Sequence, residues 1–325
     1  MFRVPILLIT FNRPEHTRRV LTEILKKEPQ VLYICQDGER EGNANDRIKC
    51  QRVRDVINDM TSVYAVNHKL FTLHTLYQPN NLGCGSGPAE GISWFFKQVE
   101  RGIVLEDDCL PHPDFFGYCE ELLDRYKDDS RIMFINAALY DDKWKCTASY
   151  DFSHNMCAGA WASWSRAISG YDVDLKQIHP ATFRDKAKKA FYSRAEYDWW
   201  YFKVLEILQD KEKKSYWDYQ MTIHIINSGG MCINPQVNLI CNIGFDADGT
   251  HTLSNDGRGN KAVYPILPLI HPERIDVDKK RDYECFAKKN SKGWFKDMVS
   301  YIYGLMFYSS SWTHQLLMAY KRIKN

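Results

Sequence analysis

Apolar residues in this chain come in short unbroken runs, each followed by a stretch of helical period. Val4-Pro5-Ile6-Leu7-Leu8-Ile9-Thr10-Phe11 is the first run, and it stops at Asn12-Arg13-Pro14. A short apolar run bounded by turn residues predicts a strand buried on both faces. Leu21, Ile24 and Leu25 then fall at helical spacing behind the polar start Glu15 to Arg19, which predicts a helix. A second strand is predicted at Val31-Leu32-Tyr33-Ile34-Cys35, ending in Gln36-Asp37-Gly38. A polar loop from Arg40 to Asp46 leads to a helix carrying Val53, Val56, Ile57 and Met60, and a third strand covers Phe71 to Tyr77. Alternating strands and helices predict an α/β domain built on a doubly wound parallel sheet.

The pattern continues with a Gly-rich loop from Pro79 to Pro88, which enters a helix carrying Ile92, Trp94, Phe95, Phe96 and Val99. Such a loop fits an anion cradle or a plain turn; it lacks the Walker and dinucleotide-binding spacings. Gly102-Ile103-Val104-Leu105 predicts an interior strand that ends in Glu106-Asp107-Asp108, and a helix follows from Asp114 to Tyr126. Ile132-Met133-Phe134-Ile135 is another predicted strand, after which the alternation fades. Small residues then separate tryptophans in Cys157-Ala158-Gly159-Ala160-Trp161-Ala162-Ser163-Trp164, which fits a loop pressed on a flat ligand or an aromatic core cluster. Helices are predicted around Tyr197 to Leu208 and Asp218 to Asn227, the second stopped by Gly229-Gly230. One or two short strands, broken at Pro235, cover Met231 to Ile240, and a polar loop from Asn242 to Thr252 reads as a lid. His251 on that loop fits a phosphate or metal contact as well as a solvated side chain.

Charge narrows the functional classes. Lys and Arg number 43 against 41 for Asp and Glu, a net of +2, which argues against a general nucleic-acid binder. The ten cysteines form no C-x-x-C pair, as expected of reduced thiols in a cytoplasmic protein. The start lacks a signal peptide's long apolar region, and no apolar run reaches the ~18 residues of a membrane span.

The acid triplet is the strongest chemical feature. Adjacent carboxylates repel and burial raises their pKa, so Glu106, Asp107 and Asp108 at the carboxyl end of an interior strand call for a cation or a hydroxyl-rich ligand. Oxygen-only ligation without neighbouring His or Cys points to Mg²⁺ or Mn²⁺. The competing reading is a solvated acidic turn before the next helix.

Several separated motifs resemble the nucleotide-sugar glycosyltransferases of the GT-A fold, particularly the N-acetylglucosaminyltransferase I branch. Leu7 to Pro14 with Arg18-Arg19 is similar to that branch's first strand and Asn-Arg turn; Gln36-Asp37-Gly38 to its second-strand Gln-Asp; Val104 to Asp108 with Pro113-Asp114-Phe115-Phe116 to its Glu-Asp-Asp and following helix. Cys157-Ala158-Gly159-Ala160-Trp161 resembles its Cys-Pro-Gly loop, and Trp217-Asp218 its Trp-Asp-Asp, with one Asp where the family has two. The likeness covers about residues 3 to 255, and an uncharacterised bacterial set shares the Asn-Ile-Gly-Phe and Thr-His-Thr segments. It implies a Rossmann-like doubly wound mixed sheet flanked by helices. It also implies a UDP-sugar donor and Mn²⁺ or Mg²⁺ as cofactor. By that resemblance Asn12 and Arg13 approach the diphosphate, Asp37 holds the uracil, Glu106 and Asp107 position ribose and sugar, and Asp108 ligates the metal. Gly159 and Trp161 flank the donor sugar, His251 assists at the diphosphate, and Asp218 is the catalytic base.

The expected organisation is a transferase domain over residues 1–265, with a nucleotide-binding half at 1–140 and an acceptor half and lid at 141–265, then a helical extension at 266–325. Within it, residues 285–325 set Lys288, Lys289, Lys292, Lys296, Lys321, Arg322 and Lys324 against the single acid Asp297. Trp294 to Met306 and Trp312 to Ile323 show helical apolar spacing. Packing on the domain, homodimer formation and peripheral contact with the inner face of the membrane all fit this pattern. The expected reaction is inverting transfer of a hexose, GlcNAc by default, to a hydroxyl of a glycan or lipid-linked saccharide in surface polysaccharide synthesis. Two rivals share features with it. A sugar nucleotidyltransferase needs a Gly-rich basic signature near the first strand, where Asn12-Arg13-Pro14 stands; a non-catalytic carbohydrate- or nucleotide-binding module would not depend on Asp108 or Asp218.

Overall fold

A computed structural model describes residues 1–139, 147–209, 216–245 and 259–290. β1 (Ile6–Thr10) is buried at every position, so it requires cover on both faces. Ile6 and Leu8 pack against α1 (Pro14–Leu25), α2 (Ala44–Asn67) and α4 (Asp114–Arg125), while Leu7 and Ile9 face α3 (Gly83–Phe96). This alternation divides the core into two apolar layers, in which each fully buried aliphatic or aromatic side chain contributes about 1.5–3 kcal/mol.

β2 (Val31–Gln36), β3 (Thr72–Tyr77) and β4 (Arg101–Glu106) join β1 in parallel, and the whole sheet runs β3-β2-β1-β4-β8-β6-β9-β7. The register sets Ile9 opposite Glu106, so the β1–α1 turn and the acid triplet emerge side by side at the carboxyl ends. A short ribbon pairs β5 (Cys109–Pro111) with β10 (Ile240–Asn242). The eight strands with flanking helices bear out the α/β mixed-sheet expectation.

The far half corrects the parallel expectation. β6 (Ile132–Asn136) and β9 (Met231–Pro235) are parallel, whereas β8 (Ala160–Trp164) runs antiparallel to β4 and β6, and β7 (Tyr150–Ser153) antiparallel to β9. The Ala-Trp-Ala-Ser-Trp segment is therefore a central strand, and the core reading of its tryptophans holds. Trp161 is 0% exposed and stacks on Phe134 at 4.4 Å. The expected contact of Trp161 with a ligand is corrected, because the ring has no surface left for one.

The Gly-rich segment is corrected too: the helix α3 already begins at Gly83. A Cβ on Gly91 would lie 2.6 Å from Cys35 Sγ, and one on Gly87 3.2 Å from Asp37 Oδ2, so these glycines let α3 lie close on β2. α5 (Ser165–Ile168) follows β8, and α6 (Pro180–Ala190), which the apolar pattern did not predict, packs with α7 (Arg194–Gln209) and α8 (Asp218–Asn227) around Phe183, Trp200 and Ile223.

Residues beyond 265 are tied to the sheet. Asp114 Oδ2 accepts the N–H groups of Ile266 and Leu267, Ile270 N donates to Ser149 Oγ, and α9 (Lys279–Asn290) sets Asp282 against Ser153 Oγ at 2.7 Å and His154 N at 2.8 Å. The two amphipathic stretches expected beyond Trp294 lie outside the described residues.

Glu196 on α7 is 0% exposed, and burial together with the charge of Asp282 pushes its pKa up to about 8. A carboxyl whose folded pKa is raised holds a proton that the unfolded chain releases, at an ordinary value of about 4.3. Stability is thus full below the ordinary value and falls as pH rises toward about 8. Glu196→Gln, which cannot ionise, is expected to match the parent in thermal melts near pH 5 and exceed it near pH 8. Identical pH slopes for the two proteins would show that Glu196 is not the titrating group.

Candidate active site

The site grows from the ends of β1 and β4. Pro14 at the first turn of α1 starts the helix directly after the strand, with Arg13 at its cap. Arg13 Nη1 lies 2.8 Å from Asp108 Oδ2 and 3.6 Å from Asp107 Oδ1, and Asp107 Oδ2 accepts the Phe11 N–H at 3.2 Å. All three charged side chains are largely buried, at 12% exposure for Arg13, 9% for Asp107 and 15% for Asp108. Such burial strengthens the pairing and also makes it obligatory, since an uncompensated carboxylate there is costly.

Asp108 is enclosed from other sides as well. Cys109 Sγ donates to its Oδ1 at 3.3 Å, and its carbonyl accepts Ile243 N at 2.8 Å. A Cβ on Gly244 would come within 2.3 Å of Asp108 Oδ2, so only glycine lets the Asn242–Phe245 segment approach so closely. His16 Nε2 sits 3.0 Å from the Ile243 carbonyl, which makes that nitrogen the donor and ties α1 to the same segment.

Glu106 is pushed well above the ordinary carboxylate range by burial, then by the charges of Asp108, Asp218 and Asp107, with Arg13 opposing. Asp107 is raised by burial and by Asp108, with Arg13 and the Phe11 N–H opposing. The effect of the Asp218 charge on Glu106 brings the first turn of α8 into the neighbourhood of the triplet. Cys84 at the start of α3 is raised by burial and feels Asp37, Asp218 and Glu106, so α3 borders the same space. Gly159 shares this neighbourhood: its carbonyl accepts Glu106 N at 2.7 Å, and its φ of +102° with a Cβ position 2.7 Å from Cys109 Sγ requires glycine.

Of the residues singled out from the sequence, Arg13, Glu106, Asp107, Asp108, Gly159 and Asp218 come together; Asn12, Asp37 and Trp161 are held by other partners, and His251 lies outside the described residues. Trp161 belongs to the core. Asn12 donates to Asp46 Oδ1 at 2.8 Å, pinning the β1–α1 turn to the start of α2. Asp37 is a helix cap: its oxygens accept Gly38 N at 2.9 Å, Leu82 N at 2.8 Å, Gly83 N at 3.0 Å and Asn81 Nδ2 at 3.0 Å. A carboxylate offers about four acceptor positions, so these bonds fix the Asp37 side chain against the start of α3.

Asp46 escaped the sequence reading, which placed it in a polar loop. It is 1% exposed, held low in pKa first by the Arg40 guanidinium and also by Asn12, and its N–H is capped by Asn43 Oδ1 at 3.1 Å. The Asn43-x-x-Asp46 spacing is a helix-start signature that could have found it. Glu196 and Asp198 sit apart in the α6–α8 layer, where Asp198 is paired with Arg184 at 2.9 Å and Arg194 at 3.2 Å.

No protein-family model matches the chain, and no curated protein matches it. Among solved structures it is similar to the mannosyltransferase PcManGT from Pyrobaculum calidifontis, determined with GDP-mannose and Mn²⁺, at 10% identity over 69% of each chain and a TM-score of 0.39. It is also similar to mouse xyloside xylosyltransferase 1, at 12% identity over 69% of this chain and 81% of that one, with a TM-score of 0.33. A cytidylyltransferase from Leptospira borgpetersenii gives 10% identity over 70% and 94%, with a TM-score of 0.29. These neighbours are nucleotide-sugar glycosyltransferases and nucleotidyltransferases.

Proposed function

We propose that the protein is a metal-dependent, inverting glycosyltransferase that moves a hexose from a UDP-sugar to a hydroxyl of a glycan or lipid-linked saccharide. The observation that carries this reading is the convergence of Arg13, Glu106, Asp107 and Asp108 at the carboxyl ends of β1 and β4, with the Asp218 charge near enough to be felt by Glu106.

The donor set fits a hard divalent ion. Asp108 presents a carboxylate oxygen beside Asp107, and among the described residues no group of three or more His, Cys, Asp or Glu side chains is arranged to hold a metal ion. One carboxylate suits Mn²⁺ or Mg²⁺, whose remaining positions go to water and phosphate oxygens. When bound, the ion supplies positive charge to the diphosphate as it leaves. Arg13, already held among the acids, supplies a second positive charge to the same group. Asp107 is aimed by the Phe11 N–H, and Glu106, whose pKa is raised by burial and then by its acidic neighbours, can when protonated donate as well as accept a hydrogen bond to sugar hydroxyls. Asp218 takes the proton of the attacking hydroxyl on the opposite side, and one base facing the leaving group requires single displacement with inversion.

Nucleotide sugars screened for Mn²⁺-dependent hydrolysis without acceptor test the class and donor together. UDP-GlcNAc is the expected substrate among UDP-hexoses. Turnover of a nucleoside triphosphate with a sugar phosphate instead would reassign the protein to the nucleotidyltransferases, and binding without turnover of any donor would make it a binding module.

A further inference from the structure

Asp218 opens α8, where a helix leaves its first N–H groups without intrahelical partners and its backbone readily frays. Here the backbone is clamped on both sides of that residue. The Trp217 carbonyl accepts Met221 N at 3.0 Å and also the Tyr171 hydroxyl at 3.0 Å, and the Asp218 carbonyl accepts Thr222 Oγ1 at 3.0 Å. The Trp217 ring is 5% exposed and packs 5.9 Å from Trp161 in the core, so the residue before Asp218 is fixed by ring and by carbonyl.

Tyr171 is itself anchored. Its N–H donates to the Ile168 carbonyl at 2.9 Å, closing the turn after α5, and Gly170 makes that turn with φ +83°. Its ring meets His224 edge-on at 6.2 Å, and His224 Nε2 donates to the Ala167 carbonyl at 2.9 Å. Burial, then the charges of Asp218 and Asp172, push the pKa of the hydroxyl up from its ordinary value, so it stays a donor at every working pH. The Tyr171 hydroxyl is thus a fixed strut between the turn after α5 and the start of α8.

From this geometry we infer that Tyr171 is a positioning residue for the general base, holding Asp218 toward the acceptor hydroxyl by bonding the carbonyl before it. The inference rests on the base role proposed for Asp218. A base that swings by a fraction of its hydrogen-bond length loses much of its advantage, because proton abstraction demands contact with the reacting hydroxyl.

Two measurements on Tyr171→Phe in the full chain test this. Hydrogen exchange of the free protein should rise in the peptide spanning residues 216–222 and stay unchanged in β1, β4 and α4; unchanged exchange at 216–222 overturns the strut. With the nucleotide sugar identified by the donor screen, Tyr171→Phe should lower kcat about tenfold, short of the ~10²–10⁴-fold attributed to a general base, and leave the donor KM unchanged. In an Asp218→Asn background the same substitution should add no further loss, because the two residues act as one unit. A full additional tenfold loss in that background, or an equal rise in donor KM, assigns Tyr171 a merely structural role and overturns the inference. Full activity of Asp218→Asn by itself overturns the base assignment, and the exchange result then still reports on the strut.

Discussion

Asp218→Asn is expected to lower the rate of sugar transfer about 10²–10⁴-fold, the range for loss of a general base, while UDP binding is retained. The amide keeps the shape of the side chain at the start of α8 but cannot accept the proton of the acceptor hydroxyl. Removing its charge also relieves Glu106, whose raised pKa owes part of its shift to Asp218. The Glu106 carboxyl then falls back toward the ordinary range, and less stability is lost as pH rises from that range toward the raised value. The variant should therefore be at least as stable as the parent near pH 8, which separates a chemical defect from unfolding. A loss of less than about tenfold would remove Asp218 as base. Glu196 and Asp198 offer no substitute, since both are buried in the α6–α8 layer. The same mechanism requires inversion at the anomeric carbon, and a retained configuration read by proton NMR would contradict it.

Asp108→Ala is expected to abolish Mn²⁺-dependent UDP binding, read by calorimetry with and without the ion, while the protein stays folded. Taking one carboxylate from a repelling trio does not leave Arg13 stranded, because Asp107 Oδ1 is already 3.6 Å away. Asp108 is a leading charge raising both Glu106 and Asp107. Its removal lowers both folded pKa values, so the decline in stability with rising pH should be shallower than in the parent. Mn²⁺-dependent UDP affinity equal to the parent's would reject Asp108 as the metal ligand.

The parallel half of the sheet was legible because each strand there is a continuous apolar run followed by a turn signal. Ile6 to Ile9 and Ile103 to Leu105 are buried on both faces, and such strands carry their assignment in composition alone. β8 was ambiguous because Ala160, Ala162 and Ser163 are small for a different reason. Ser163 stands opposite Gly102 and donates its hydroxyl to the Met133 carbonyl, constraints set by neighbours some thirty to sixty residues away along the chain. The acid triplet could be read because its charges are consecutive, whereas the pairing of Asn12 with Asp46, or of Asp37 with Leu82 and Gly83, exists only once separate elements have met. α6 was missed because its single strong apolar residue, Phe183, gives little periodic signal among charged neighbours.

The way Asp37 is spent bears on which mutations this gene can absorb. Its carboxylate closes four hydrogen bonds, three of them to backbone N–H groups. A single base change in an aspartate codon can yield Asn, Glu, Gly, Ala, Val, His or Tyr. Asn swaps one acceptor oxygen for an amide that points a hydrogen at donors, and Gly, Ala and Val supply no acceptor. Glu carries the acceptors one carbon too far, and the rings of His and Tyr offer no pair of carboxylate oxygens to accept the four bonds. An unmet N–H costs about 1–3 kcal/mol when fully buried and less at this part-buried joint, against a domain's ~5–15 kcal/mol margin. Position 37 is thus isolated in mutational space: every single-base route out of aspartate weakens the joint between β2 and α3, whether or not any ligand ever touches that residue.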